Sequence, residues 1–317
     1  MSEDALPEED DATVTPQGPA EPVEDDLVVL VPMIGKSPLF EAYNAARYHR
    51  QRLIRKINRR SGRHLLCLIG GGDAPLERED VLAFADLLYG VPEGAHIDLM
   101  LQTVGGDTDV TEKLAGMLWA RIGKTGTLRA IVPDYAKSAG TLLALAADEI
   151  VMSDTSELGP IDPQVVRRGP NGIMTIAVQH HLDAHQNAKK ALMEDPEDPV
   201  AIAEFSTFDP ATIVAYKAIV ARAHALSDKH LKRGMFRRGE AGPYTAISYK
   251  LLDTTRWRTH GQVIDHREAD EIGLNIDYRT QDDPEWQAWW RLHCLQRLAL
   301  ENESCRIFES DPVFLPY

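Results

Sequence analysis

Cysteine is scarce in this chain: Cys67, Cys294 and Cys305 are the only three in 317 residues. They are too scattered for a disulfide framework or a Cys-x-x-Cys zinc site, and the expected setting is a reducing compartment. The sequence also lacks any apolar run of the roughly 18–20 residues that span a bilayer, and its first residues lack the basic start and apolar stretch of a secretory signal. A cytoplasmic protein that does not enter membranes is expected. Basic residues are missing from residues 1–26, which instead carry ten acids and four prolines. Such a segment repels itself and cannot bury enough apolar surface to order, so an acidic, disordered tail is expected there. Without it the net charge of −15 shrinks to −5, with 39 acids facing 34 bases. A field that weak selects neither a polyanionic nor a polycationic partner.

What is present is an ordinary globular composition, 44% hydrophobic and 26% charged, long enough for one large domain or two small ones. Short apolar runs at Leu27–Met33, His64–Ile69, Ile97–Leu101, Leu128–Val132 and Glu149–Met152 read as strands. Helical spacing separates them over Val81–Leu88, Val110–Ile122 and Ser138–Ala147, and dominates residues 176–236. Strands alternating with helices at this spacing imply an α/β fold with a mainly parallel sheet. Residues 42–63 hold eight bases and no acid, but Phe40, Tyr43, Leu53, Ile54 and Ile57 recur at helical spacing. Tyr48 is the only tyrosine, phenylalanine or tryptophan among the bases from Arg47 to Arg63, too few for a stacking platform, so the run reads as a solvated helix face rather than a nucleic-acid surface.

Several short motifs fail on spacing. Gly70-Gly71-Gly72-Asp73-Ala74-Pro75 follows a strand, yet Pro75 stands where the dinucleotide fingerprint needs its third glycine. Gly123-Lys124-Thr125 has Leu118 in place of the first glycine of a phosphate loop. His180, His181 and His185 offer an i,i+4 pair, but Leu182 and Asp183 take the place of the zincin glutamate. They read as clustered surface histidines.

Two other features stand at the carboxyl ends of successive strands, where open α/β folds meet ligands: Gly105-Gly106-Asp107 and Ala136-Lys137-Ser138-Ala139-Gly140-Thr141. Paired glycines let backbone N–H groups approach a ligand without a Cβ in the way. Ser138 opens an apolar helix, beside N–H groups that lack partners and favour developing negative charge. Singly, the serine could be a helix cap and the glycines a tight turn.

Gly105-Gly106-Asp107, the run from Val132 through Ser138-Ala139-Gly140-Thr141 to Met152, and Leu158-Gly159-Pro160-Ile161-Asp162-Pro163-Gln164 together resemble the serine dehydrogenase proteinase family. Its relatives are signal peptide peptidase A and the Clp protease subunit. The resemblance covers residues 95–165 and returns weakly at Thr259-His260-Gly261 and Glu268–Leu274. It implies the Clp/crotonase fold of repeated strand-strand-helix units with helical C-terminal additions. It further implies a serine peptidase acting on peptides or proteins, with Ser138 as nucleophile and an oxyanion hole from Gly105, Gly106 and Ala139. Members of that fold commonly self-assemble, so a homo-oligomer is implied. The chemistry needs no metal or nucleotide cofactor.

The general base is the open question. Clp-type relatives use a histidine, but Gly159-Pro160-Ile161-Asp162-Pro163 contains none, which argues against a simple Ser-His-Asp transfer. Signal peptide peptidase relatives use a lysine some tens of residues after the serine, and Lys189 and Lys190 stand there. Neighbouring helical residues point about 100° apart, so at most one faces the site, and Lys190 is preferred. Asp107, Lys137, Gly159, Pro160 and Asp162 are expected to line the site. An α/β-hydrolase using Ser138, Asp228 and His260 or His266 is disfavoured because Ala136 replaces the first glycine of its nucleophile elbow. A scaffold without activity and crotonase-type acyl chemistry remain the other readings. The expected divisions are the tail at 1–26, a peptidase domain at 27–280, and a C-terminal helix and tail at 281–317. Trp286, Trp289 and Trp290 in that last segment are candidates for an interface or for internal packing.

Overall fold

The computed structural model describes residues 37–169, 172–239, 242–303 and 305–317. The acidic tail and the strand expected at Leu27–Met33 lie outside them. Chain contacts divide the molecule at Ala46. Residues 38–46 are the first turns of α1 (Pro38–Ser61), and the unit from Arg47 to Tyr317 holds everything that follows.

From α1 the chain enters β1 (His64–Gly70), α2 (Asp80–Tyr89), β2 (Ile97–Gln102), α3 (Thr108–Ile122), β3 (Leu128–Ile131), β4 (Tyr135–Ala136) and α4 (Ala139–Ala144). It continues through β5 (Glu149–Met152), β6 (Glu157–Leu158), a hairpin of β7 (Gln164–Gly169) and β8 (Gly172–Ala177), and helices α5 (Val178–Glu194), α6 (Pro199–Ser206) and α7 (Pro210–Arg233). Last come α8 (Tyr244–Leu252), α9 (His266–Ile272), β9 (Ile276–Tyr278), α10 (Pro284–Glu303), β10 (Arg306–Glu309) and β11 (Phe314–Pro316). The main sheet has the order β11-β10-β1-β2-β3-β5-β9, parallel from β1 to β9, with β10 and β11 added antiparallel. This is the mainly parallel α/β architecture with C-terminal helices that the alternation implied.

The strands read as continuous apolar runs because both faces of the sheet are covered. Side chains alternate along each strand, so register decides which core a residue joins. Leu66, Leu99, Ala130 and Ile150 form one row across four strands and face the larger core with α2, α3 and α4. Cys67, Met100, Ile131 and Val151 form the next row and face the smaller core with Ile54 and Ile57 of α1 and Trp286, Trp289 and Leu292 of α10. Two of the three tryptophans of α10 are therefore internal anchors. The segment after residue 281 is continuous with the sheet, because β10 pairs directly with β1.

The basic stretch of residues 42–63 departs from the expected solvated face at two places, Arg50 within α1 and Arg63 just after it. Arg50 is buried against Glu309 of β10, and Arg63 binds the buried Asp98 of β2, which Arg129 of β3 also holds. Arg52, Lys56, Arg59 and Arg60 do face solvent. Burial raises the Glu309 carboxyl above its ordinary range against the pull of Arg50.

Candidate active site

Ser138 sits between β4 and α4, on a turn fixed from both sides. Lys137 N–H donates to the Thr103 carbonyl at 3.0 Å, and Thr103 N–H donates to the Tyr135 carbonyl at 3.1 Å. Thr141, one turn into α4, places its hydroxyl 2.7 Å from the Ala136 carbonyl and 2.9 Å from the Gly159 carbonyl. Within this frame Ser138 adopts φ 51° and ψ −116°, the only non-glycine residue at positive φ among those described. A serine held in a sparsely populated backbone region costs on the order of 1–3 kcal/mol and points to a functional constraint. Its hydroxyl caps nothing: Ser138 occupies the N-cap position of α4 without a side-chain capping bond. The helix-cap reading of this serine is thereby removed.

Gly105 and Gly106 close the turn from the β2 side, at φ 100° and 139°. A Cβ on Gly105 would lie 2.8 Å from Ser138 Cβ and 3.1 Å from Ala139 N, so the glycine backbone lies directly against the serine turn. The Gly105 carbonyl accepts from Leu76 N–H at 2.7 Å, and Asp107 N–H donates to the Leu76 carbonyl at 2.9 Å. Because C=O and N–H of a trans peptide point in opposite directions, the Gly106 N–H turns away from Leu76. That geometry, with Ala139 N–H at the free start of a helix, is what an oxyanion hole requires.

The residues expected to line the site divide. Asp107 caps α3, its carboxylate accepting from Asp109 N–H at 2.7 Å and Val110 N–H at 3.3 Å. Lys137 packs its stem against Gly159 and places its ammonium 3.0 Å from Glu157 and 3.1 Å from the Leu158 carbonyl. Gly159, Pro160 and Asp162 are buried behind the serine turn. Lys189 and Lys190 are exposed on α5, where Lys190 is 74% exposed and pairs with Glu194 at 3.8 Å. The helix buries only Val178 and Ala188, so neither lysine is among its buried residues. Both therefore stand in solvent instead of in the buried setting that a lysine base needs.

A histidine stands where those lysines do not. His260 Nδ1 lies 2.8 Å from Asp162 Oδ1, with the carboxylate only 5% exposed. The two residues are 98 apart in sequence. Both loops are fastened to the serine turn: Gly159 through Thr141, and Gln262 through its carbonyl, 3.4 Å from Lys137 Nζ. The absence of histidine from residues 159–163 therefore did not exclude one from the site. The motif Thr259-His260-Gly261 was visible, but its partner Asp162 belongs to a distant strand exit. Of the histidines read as surface residues, His181 meets Phe208 and Tyr216 edge-on, and His185 meets Phe208 edge-on and Phe205 at a tilt.

Residues 76–202 match the family described as ClpP-like SDH-type serine proteinase. That stretch is about two fifths of the chain and includes residues 95–165, whose sequence resembles the same family. It contains Gly105, Gly106, Ser138 and Asp162, whereas His260 lies beyond it. Two curated relatives come from Methanocaldococcus jannaschii. Uncharacterized protein MJ0137 is 30% identical over 65% of this chain and 62% of its own length. Uncharacterized protein MJ1495 is 36% identical over 37% of this chain and 42% of its own length. The chain thus spans less than two thirds of either relative. Among solved structures, a mutant of the 1510-N membrane-bound stomatin-specific protease aligns at 16% identity and a TM-score of 0.38, covering 66% of this chain and 76% of that one. A second mutant of it, in complex with a substrate peptide, aligns at 14% identity and a TM-score of 0.25, covering 63% of this chain and 83% of that one. Both superpositions are loose. No described helix of the present protein is long and apolar enough to cross a membrane.

Proposed function

We propose that the protein is a serine peptidase in which Ser138 attacks a peptide carbonyl with His260 as general base. The observation that carries this is the Asp162–His260 pair at 2.8 Å, borne on two loops fastened to the turn of a strained, uncapped serine. Asp162 accepts from Nδ1–H, which leaves Nε2 as the basic nitrogen. Nε2 takes the Ser138 hydroxyl proton as Oγ bonds to the carbonyl carbon, and the oxyanion is met by the N–H groups of Gly106 and Ala139. Nε2–H then protonates the departing amine, leaving an acyl-serine that water hydrolyses by the same proton path in reverse. This assignment replaces Lys190 and Lys189 as base, since both stand in solvent on α5.

The reading extends to peptides or proteins as substrates, to a cytoplasmic setting supported by three unpaired cysteines, and to a homo-oligomer. Assembly is supported by large apolar side chains left in solvent on α5, α6 and α7, namely Met193, Val200, Ile202 and Val214. Treatment with a fluorophosphonate probe, with the adduct located by mass spectrometry, tests the chemistry. The adduct is expected on Ser138, lost in Ser138→Ala, slowed about 100-fold or more in His260→Ala, and unchanged in Lys190→Ala. Equal labelling of wild type and His260→Ala would remove the histidine, and loss in Lys190→Ala would reinstate the lysine.

A further inference from the structure

Beside the Asp162–His260 pair opens a cleft of about 560 Å³. Its walls are the His260 loop, the end of β8 and the first turn of α5. Trp257, 3% exposed, and Ile176 give it an apolar base, while Thr175 and Thr259 add hydroxyls. Its charge is one-sided. Asp162 is the only acid in the lining, and its carboxylate is 5% exposed and bound to His260. Against it stands Arg258, exposed at the rim. The backbone of Arg258 is fixed by its N–H bond to Gln262 Oε1 at 3.1 Å. Its guanidinium has no ion-pair or hydrogen-bond partner among the described residues, although Arg256, two positions earlier, reaches Glu271 at 3.9 Å and lies over Trp257. His180 and His181 line the facing wall. Each can only add positive charge to the cleft on protonation.

An unpaired guanidinium on a tethered loop, two residues from the general base, is placed to grip a planar anion. Arginine binds carboxylates by paired N–H donors in a fixed fork. From this we infer that the cleft is a substrate subsite for a peptide carboxylate, with Arg258 as its specificity-determining residue. The inference rests on the peptidase reading of Ser138 and His260, and it names the kind of peptide that site takes. The carboxylate has two sources, an Asp or Glu side chain close to the scissile bond or the carboxyl end of the peptide.

The test uses the full chain carrying Ser138→Ala, so that bound peptide is not consumed, and fluorescein-labelled octapeptides of Ala, Gly and Ser read by anisotropy. One series is amidated at the carboxyl end and walks a single Glu, Gln or Lys along the peptide. A second series carries a free carboxyl end and no charged side chain. Binding about tenfold tighter for Glu than for Gln at one position, with Lys weaker still, supports the side-chain source. The same gain for the free over the amidated end supports the terminal source. In either case Arg258→Glu must reverse the preference and Arg258→Lys must keep part of it. Equal binding of Glu, Gln, Lys and both chain ends, or a preference that survives Arg258→Glu, overturns the subsite. Fluorophosphonate labelling of the protein with Ser138 intact is read separately, so failure of the nucleophile and failure of the subsite give different results.

Discussion

Lys137 Nζ stands 3.0 Å from the Glu157 carboxylate and 3.1 Å from the Leu158 carbonyl, so the residue before the candidate nucleophile is clamped to the strand that leads into Gly159 and Asp162. A third contact, 3.4 Å to the Gln262 carbonyl, reaches the loop of His260. One ammonium thus ties together the three segments that carry Ser138, Asp162 and His260. The ion pair is mostly shielded, with Lys137 14% and Glu157 27% exposed. Its value lies in placement, because an angstrom of misplacement between nucleophile and base slows attack severely.

Lys137→Met is accordingly expected to fold normally, since methionine fills the same channel beside Gly159. Fluorophosphonate labelling of Ser138 should slow about tenfold, with Lys137→Arg recovering part of the rate by supplying several donors. Labelling rates compared with melting temperatures check this. A Lys137→Met protein that labels at the wild-type rate shows that the clamp does not position the site.

The sheet and the serine turn were legible because their signals are local. Apolar runs doubly covered by helices, Gly105-Gly106 at one strand exit and Ala136–Thr141 at the next all carry their meaning within a few residues. The proposed base was not legible, because the Asp162–His260 contact joins residues 98 apart and depends on how the loop after α8 returns to the strand exits. Lys189 and Lys190 satisfied a spacing, but their helix turned out to bury only Val178 and Ala188. The β7–β8 hairpin was also missed: Val165-Val166 and Ile173–Ile176 are apolar runs of strand type, but the helical pattern that begins directly after them dominated the reading.

The backbone at Ser138 makes a prediction independent of any substrate. At φ 51° and ψ −116° a glycine pays no Cβ penalty, whereas alanine inherits the full strain of serine. Ser138→Gly should therefore be more stable than Ser138→Ala by about 1 kcal/mol, after allowance for the greater freedom of glycine in the unfolded chain. In a domain of this size that is roughly 2–4 °C in melting temperature. Calorimetry of the two inactive variants decides it, and a glycine variant that melts below the alanine variant would show that the turn is unstrained.

His230 gives a pH dependence with a definite sign. Its ring is buried between Trp119 and α4, with Nδ1 2.7 Å from the Leu142 carbonyl, and burial pushes its pKa down to about 4. In the unfolded chain the group titrates near 6.5. Between those values the unfolded state binds the proton and the folded state does not, so stability present above about pH 6.5 is lost as the pH falls towards 4. The full shift corresponds to about 3 kcal/mol. His230→Asn retains a donor for Leu142 without titrating. It should be less stable at pH 7 but should lose less between pH 7 and pH 5 in urea titrations. Parallel losses in the two proteins would place the acid sensitivity elsewhere, with His293, also held near 4 by burial, as the next group to replace.

Gly105 tests whether the oxyanion side of the site depends on a missing side chain. A methyl group there would lie 2.7 Å from the Lys137 carbonyl and 2.8 Å from Ser138 Cβ, on a backbone at φ 100° that alanine rarely adopts. The contacted atoms belong to a turn pinned by Thr103 and Thr141, so they cannot retreat cheaply. Gly105→Ala is expected to lower stability by about 2–4 kcal/mol through clash and strain. At temperatures where its circular dichroism is still that of the folded protein, labelling of Ser138 should drop about 100-fold, the usual effect of disturbing one oxyanion donor. Gly72→Ala is the control, because a Cβ at that glycine meets nothing within 4 Å. Equal labelling in the two variants, both folded, would separate Gly105 from the chemistry and leave its role as that of a turn.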